Sequence, residues 1–322
     1  MKSRHLVDPE LLGVAEAFPP LNLSPATLPG MREMSKSMAV MGDAAALGVT
    51  RREVSVPGLA GAPPVRCLVY EPKGKAAGRA AFLQIHGGGY VAGTPEGSDI
   101  RNLGVCSKLG IVVVSPDYRL APEHPYPAPV GDCMAALDWM VANAATLGID
   151  PARIAVGGDS AGGGLAAATV LRARDEGRHR IAFQHLVYPM LDDRTTGPGA
   201  KPDPLIGEYV WTPDCNVFGW GAYLGGAAPA APAVPARATS LAGLPPTWIS
   251  VGALDLFLDE NIAYARRIMA EGGLAELHIY PGAYHAFQWA TEARVAKRFE
   301  ADYLESLATG LGVHAARAAE PA

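Results

Sequence analysis

A serine with glycine two positions to either side is the first feature of this chain that can carry chemistry. Gly158-Asp159-Ser160-Ala161-Gly162 lies within IAVGGDSAGGGLAAA, residues 154–168, where a short apolar run enters and an alanine-rich run leaves. The order reads as strand, tight turn and helix. Such a turn can cradle a phosphate, grip a dinucleotide or present a nucleophile. The phosphate loop needs GxxxxGK[ST]; Gly157 and Gly162 have the spacing, but Gly163 stands where the lysine must be. The dinucleotide pattern G-x-G-x-x-A is met by Gly162, Gly164 and Ala167, and Asp192 ends the next strand where a ribose-binding acid is wanted. Its first glycine should close the strand, however, and Asp159, Ser160 and Ala161 intervene. The nucleophile reading needs G-x-S-x-G, which is met in full. The serine sits at a sharp turn in strained backbone geometry, where a Cβ on either side would clash. Gly163 and Gly164 are then expected to ease packing of the helix against neighbouring loops.

A serine hydroxyl attacks only when a base takes its proton, and an acid must orient that base. Asp255 follows the apolar run PTWISVGAL, and His285 follows LHIYPG, in GAYHAF. Both fall just past predicted strand ends, where open parallel sheets place their ligands. They also stand in the order serine, acid, histidine. Asp259 competes with Asp255, but beside Glu260 it reads as an acid of a first helical turn. His278 and His185 lie within predicted strands and His124 in a proline-rich loop, so His285 is the expected base. HGGGY, residues 86–90, follows a further apolar run, Ala80–Ile85. Consecutive glycines let the N–H groups of Gly88 and Gly89 approach a tetrahedral oxygen, and Ala161 N–H at the helix start is a third donor. His86 is expected to brace this loop.

These residues need a scaffold that brings strand ends together. Arg51–Val56 and Val65–Tyr70 alternate as two strands of an antiparallel edge. Further strands are read at Ala80–Ile85, Ile111–Ser115, Ile154–Val156, Phe183–Val187, Thr247–Val251 and Leu277–Tyr280, and helices at Ala128–Leu147, Gly162–Arg174, Asp259–Ala270 and Ala290–Leu307. Strand and helix alternate from residue 80 onward, which predicts an α/β architecture: a mainly parallel sheet of about eight strands with helices on both faces. Two regions break the alternation. Residues 1–50 read as two short helices around a loop holding Pro19, Pro20, Pro25 and Pro29. Their stripe Met31, Met34, Met38, Met41 suits packing or, since methionine adapts its shape, a pocket wall. The second region, Asp193–Leu244, is too long for an ordinary loop and is read as an insertion over the C-terminal edge of the sheet. The expected organisation is a cap from residues 1–50 and 195–230 over a catalytic domain of residues 51–194 and 231–322. Tyr90, Leu205, Trp211 and Phe218 are candidate pocket-lining residues, each equally open to packing within the cap. The tail HAARAAEPA is expected to fray.

Composition narrows the class. The chain has 322 residues, 49% of them hydrophobic, and a net charge of −5 with no basic stripe, which argues against nucleic acid as a partner. Its four cysteines, Cys67, Cys106, Cys133 and Cys215, show no CxxC spacing and are expected to be reduced and mostly buried, without a zinc site. No window approaches the ~18 apolar residues of a membrane span. The first residues have no apolar core of a signal peptide, so a cytoplasmic location is expected. The edge strand Leu277–Tyr280 would offer a contact for a homo-oligomer.

HGGGY, DYRLAPEHPYPA (residues 117–128), GDSAGG, DLFLDE (residues 255–260) and HAF (residues 285–287) together resemble the hormone-sensitive-lipase-like esterases, the bacterial branch of the α/β-hydrolase superfamily. The resemblance covers about residues 80 to 290, with Leu256 where the family often has proline. It implies Ser160 as nucleophile, His285 as base, Asp255 as its orienting acid, Gly88, Gly89 and Ala161 as oxyanion donors, and a cap. It implies a serine carboxylesterase acting on small-molecule esters, with no cofactor and no metal; substrate preference does not carry over, and small or short-to-medium acyl groups are expected because the cap would bound the pocket. Amide hydrolysis or acyl transfer by the same triad, or a non-catalytic binding role, are the alternatives. Arg119 and Glu123, in YRLAPE, are expected to pair with each other.

Overall fold

The computed structural model describes residues 1–18, 21–74, 76–201 and 203–313. Pro19, Pro20 and the tail HAARAAEPA lie outside them. The strands are β1 (Val49–Val56), β2 (Val65–Pro72), β3 (Arg79–Ile85), β4 (Val112–Pro116), β5 (Ile149–Asp159), β6 (Phe183–Val187), β7 (Thr247–Gly252) and β8 (Ala275–Tyr280). The helices are α1 (Leu12–Ala17), α2 (Leu28–Ser37), α3 (Asp99–Leu109), α4 (Ala128–Ala142), α5 (Ala144–Leu147), α6 (Ala161–Asp175), α7 (Pro213–Leu224), α8 (Leu258–Ala270) and α9 (Arg294–Leu311).

The eight strands form one sheet in the order β1-β2-β4-β3-β5-β6-β7-β8. β2 pairs antiparallel with β1 and with β4, and every later pairing is parallel. Leu277–Tyr280 falls in the terminal strand, so its reading as a sheet edge holds. Strand residues alternate between two apolar layers: Leu83, Val114 and Val156 face the layer of α4, α6 and α8, while Phe82, Val113 and Ala155 face that of α3 and α9. After β3 the chain turns to β4 on one side and then returns to β5 on the other. Connections therefore diverge at the C-terminal ends of β3 and β5, the place where open parallel sheets leave a crevice. The loop holding HGGG leaves β3 there, and Ser160 follows β5.

Several boundaries differ from the sequence reading. β5 starts at Ile149, five residues early, because Arg79 pairs with Ile149 and Ala81 with Ile154, leaving the Asp150-Pro151 segment in a bulge. The helix expected over Ala128–Leu147 divides at Asn143, whose Nδ2 donates to Trp139 O at 2.9 Å and caps the first part. α3 and α7 were not anticipated. α7 starts within the insertion at Pro213, after Thr212 accepts a bond from Cys215 N at 3.4 Å. The Met stripe does not form a buried face: Met31 packs on the main core, but Met38 is 50% and Met41 44% exposed. All four cysteines are free and buried. Among the described residues no helix is long and apolar enough to cross a membrane, and no cluster of acidic, histidine and cysteine side chains is arranged for a metal ion.

The two segments outside the alternating pattern meet each other above the C-terminal strand ends. Glu208 accepts bonds from Lys2 N, Ser3 N and Ser3 Oγ at 2.9, 2.7 and 2.7 Å. Cys215 Sγ lies 3.4 Å from Leu21 O. Arg32, on α2, donates to Val91 O and Ala121 O, next to the HGGG loop. The expected Arg119–Glu123 pair is absent. Arg119 instead grips Asp132, a buried acid in the first turns of α4, through Nε and Nη2, and Glu123 takes both terminal nitrogens of Arg32 at 2.7 Å. A nearly fully buried carboxylate such as Asp132 requires a partner, and a bidentate guanidinium supplies it.

Candidate active site

Ser160 stands between β5 and α6 at φ 57° and ψ −120°, a backbone geometry that a residue with a Cβ rarely adopts. The turn survives because its surroundings hold it. Ser160 N–H donates to Val187 O at 2.9 Å, and Ser160 O accepts from Gly164 N and Met190 N at 3.0 Å each. A Cβ at Gly158 would run into Ile85 O, and one at Gly162 into Ile85 O and His86 O. The turn therefore packs backbone against backbone on the end of β3. Gly164 lies against Met190 O and the Tyr90 hydroxyl, the loop packing anticipated for it.

Ser160 Oγ lies 3.0 Å from His285 Nε2, and His285 Nδ1 lies 2.8 Å from Asp255 Oδ2. Asp255 Oδ1 accepts from Phe257 N at 2.9 Å, so its carboxylate is fixed at both oxygens and Nδ1 must carry the imidazole proton. That leaves Nε2 with its lone pair toward the serine. The three side chains are buried, with Ser160 6% and His285 5% exposed. The ring of Tyr188 packs at 4.5 Å from the imidazole and that of Phe257 at 5.3 Å. The competing residues are engaged elsewhere. Asp259 lies in the first turn of α8. His278 bonds Glu276, and His185 bonds Ser306 and stacks on Trp248 at 4.5 Å. Burial holds the His185 imidazole at about 3, so it stays neutral.

Gly88 and Gly89 take φ 125° and 61° in the loop after β3. Gly88 O accepts from Val91 N and Ala92 N, while the N–H groups of Gly88, Gly89 and Ala161 make no hydrogen bond among the described residues. His86 Nδ1 donates to Gly87 O at 2.8 Å and its ring stacks on Tyr118 at 4.2 Å, which braces the loop as expected. Burial lowers the proton affinity of this imidazole, consistent with a neutral brace.

Of the four proposed lining residues, the structure brings Trp211 to this centre. A Cβ on Gly89 would strike the outer ring of Trp211, and the ring centroid lies 6.5 Å from that of His285. Trp211 Nε1 donates to Asn216 Oδ1 at 3.1 Å, and Asn216 Nδ2 donates to Thr196 Oγ1 at 2.8 Å. The preceding Val210 has φ 60°, an outlier for a β-branched residue, and Trp211 N–H bonds back to Tyr209 O at 2.7 Å. Tyr90 is fully buried, stacked on Tyr223 at 4.1 Å with its hydroxyl donating to Met190 O, so it braces loops. Leu205 and Phe218 are half-buried, Phe218 against the main core.

Residues missed by sequence reasoning hold the loop after β6, which touches both Ser160 and His285. Glu260 accepts from Leu191 N at 2.6 Å and from the Thr195 hydroxyl, and Asn261 Nδ2 donates to Pro189 O at 2.8 Å. Burial raises the Glu260 carboxyl well above the usual range, against the pull of those donors. The Gln288 amide donates to the Tyr188 hydroxyl. No spacing rule points to these contacts, although Glu260 ends the DLFLDE motif.

The chain is similar to known proteins over most of its length. A family model described as the alpha/beta hydrolase fold matches residues 82–289. The chain is 39% identical to the esterase LipI of Mycobacterium tuberculosis over 217 residues, 64% of each chain, and 35% identical to the carboxylesterase NlhH of the same organism over 75% of this chain and 76% of that one. It is similar in structure to a bacterial heroin esterase, with a TM-score of 0.87 and 41% identity across 95% of this chain and 98% of the other. Fold, sheet order and these likenesses agree: the chain belongs to the α/β-hydrolase fold family, in its hormone-sensitive-lipase-like branch of carboxylic ester hydrolases.

Proposed function

We propose that this protein is a serine carboxylesterase in which Ser160, His285 and Asp255 act as one catalytic unit. The observation that carries the reading is the unbroken path from Ser160 Oγ to His285 Nε2 at 3.0 Å and from His285 Nδ1 to Asp255 at 2.8 Å, beside backbone N–H groups with no acceptor among the described residues. Ser160 Oγ attacks the ester carbonyl as His285 Nε2 takes its proton. Charge develops on the carbonyl oxygen, where Gly88, Gly89 and Ala161 N–H groups and the start of α6 stabilise it; one such donor is worth about 10²–10³ in rate. His285 then gives its proton to the leaving alkoxide, and the alcohol departs. Water attacks the acyl-enzyme with His285 as base, the acid leaves and Ser160 recovers its proton.

Residues 1–50 and 195–230 serve as the cap of the catalytic domain, and Trp211 bounds its pocket. The substrates are then small-molecule carboxylic esters with small or short-to-medium acyl groups. Ser160→Ala is expected to lower turnover of an activated acetyl ester by about 10⁴-fold or more while the melting curve stays that of the wild type. Wild-type turnover in this variant overturns the assignment.

A further inference from the structure

Behind the nucleophile lies a charge cluster that the triad does not use. Asp159 precedes Ser160, and its Oδ2 accepts a bond from Arg101 Nη1 at 2.8 Å. Arg101, on α3, gives its other terminal nitrogen to Glu300 on α9 at 2.7 Å. Its guanidinium carbon lies 5.1 Å from the ring centre of Tyr303 and 5.5 Å from that of Phe299. The side chains of Arg101 and Asp159 are only 16% and 15% exposed. The contact is a single bond: Asp159 Oδ1 and Arg101 Nε are buried and make none among the described residues. Burial pushes the Asp159 carboxyl up, Arg101 opposes it, and Glu300 adds to the rise.

We infer that Arg101 is a positioning residue for the nucleophile, acting through Asp159. This rests on the serine-hydrolase reading above. The backbone bonds of Ser160 all run toward β6, its following loop and α6. On the α3 and α9 side, Arg101 is the one partner of the Asp159 side chain among the described residues. Asp159 supplies the peptide that leads into the strained φ of Ser160, and its carbonyl abuts Gly87 of the HGGG loop. Without the cation, the mostly buried Asp159 carboxylate is left uncompensated, with the partly exposed Glu300 carboxylate opposing its charge. Asp159 must then take up a proton or move toward water, and either change reaches Ser160. Removing one partner of a buried pair costs more than removing both, because the remaining charge is left uncompensated.

The test compares wild type, Arg101→Leu and Arg101→Leu/Asp159→Asn by steady-state hydrolysis of p-nitrophenyl acetate and by the rate of labelling with a fluorophosphonate. Arg101→Leu is expected to lower kcat and labelling rate about tenfold or more, with KM changed about twofold or less. The double variant, in which no carboxylate is left unpaired beside Ser160, is expected to recover at least about threefold over the single one. A role confined to packing of the arginine stem predicts no such recovery. Should Arg101→Leu not fold, a double variant that does fold carries the same conclusion. Arg101→Lys, which keeps the charge but loses the fork, is then expected to fall between wild type and the double variant. Wild-type labelling in Arg101→Leu, or a double variant no better than the single, overturns the inference alone. A wild type that takes up no label overturns the serine-hydrolase reading as well.

Discussion

Two parts of the molecule converge on Ser160 and hold their positions by different means. At the strand ends the contacts are backbone against backbone: the Gly158 and Gly162 positions abut the carbonyls of Ile85 and His86, and the peptide of Ser160 is tied to Val187, Gly164 and Met190. Above them, residues 1–50 and 195–230 are attached by a few backbone bonds, such as Gly207 N to Leu254 O and Tyr126 N to Tyr223 O, and otherwise by side chains. Glu208 holds Ser3, Arg32 reaches Ala121 O and Glu123, Tyr223 stacks on Tyr90, and Trp211 rests on Gly89. Backbone packing of this kind has no slack, because peptide groups cannot choose another rotamer. Side-chain packing does have slack. On the proposed function, the lower part would keep one chemistry fixed and the upper part would let the accepted substrate vary.

The sharpest way to break this contrast is a Cβ in the lower part. Gly162→Val would drive its side chain into two carbonyls of the segment leaving β3, and neither can rotate away. Loss of at least about 4 kcal/mol of stability, or of soluble protein, is expected. Denaturant unfolding measures it, and a variant within about 1 kcal/mol of wild type would show that this packing has slack after all.

The same contrast governs how far the sequence alone could be read. A site that demands glycine or a fixed spacing leaves a mark in residue types. Ser160, Asp255, His285 and HGGG were therefore legible, as was the alternation that builds a mainly parallel sheet. Contacts between long side chains leave no such mark. The sequence suggests Glu123, four residues away, as the partner of Arg119, whereas the structure pairs Arg119 with Asp132 on the next helix. Nothing in DIRNLGVCSKL announces that Arg101 lies against Asp159 and Glu300. α3 has no strong apolar stripe, and α7 lies in a Gly- and Pro-rich stretch, so both escaped pattern reading. The early start of β5 escapes the pattern because Asp-Pro reads as a turn while the fold accommodates it as a bulge.

In the upper part, a smaller and more selective effect is expected. Trp211→Ala removes a ring that spans from Gly89 to the neighbourhood of His285. The ratio of kcat/KM for p-nitrophenyl octanoate to that for the acetate should rise about tenfold, in line with what a few methylenes are worth in an apolar pocket. The truncation also forfeits the bond to Asn216 and much buried area, so Trp211→Phe, which keeps most of the ring, should show the same direction at lower cost in stability. An unchanged chain-length profile in both variants would mean that the ring bounds no part of the substrate.

The smallest effect concerns the join between the two outer segments, and it depends on pH. Burial tends to raise the Glu208 carboxyl, but the N–H groups of Ser3 and Lys2 and the Ser3 hydroxyl outweigh it and hold the carboxyl at about 2. A carboxylate depressed in the folded state adds stability that is complete above its ordinary value near 4.5. That contribution is lost as pH falls through the interval down to about 2. Glu208→Gln should therefore melt slightly below wild type at pH 7, and the gap should close as both are acidified from about 4.5 toward 2. The group is partly solvated, so screening limits the gap to about 1 kcal/mol or less. A gap that widened on acidification would have the wrong sign for this contact. One that stayed constant would mean that the neutral amide fails for reasons of shape, and that the charge of Glu208 does not tie residues 2–3 to the insertion.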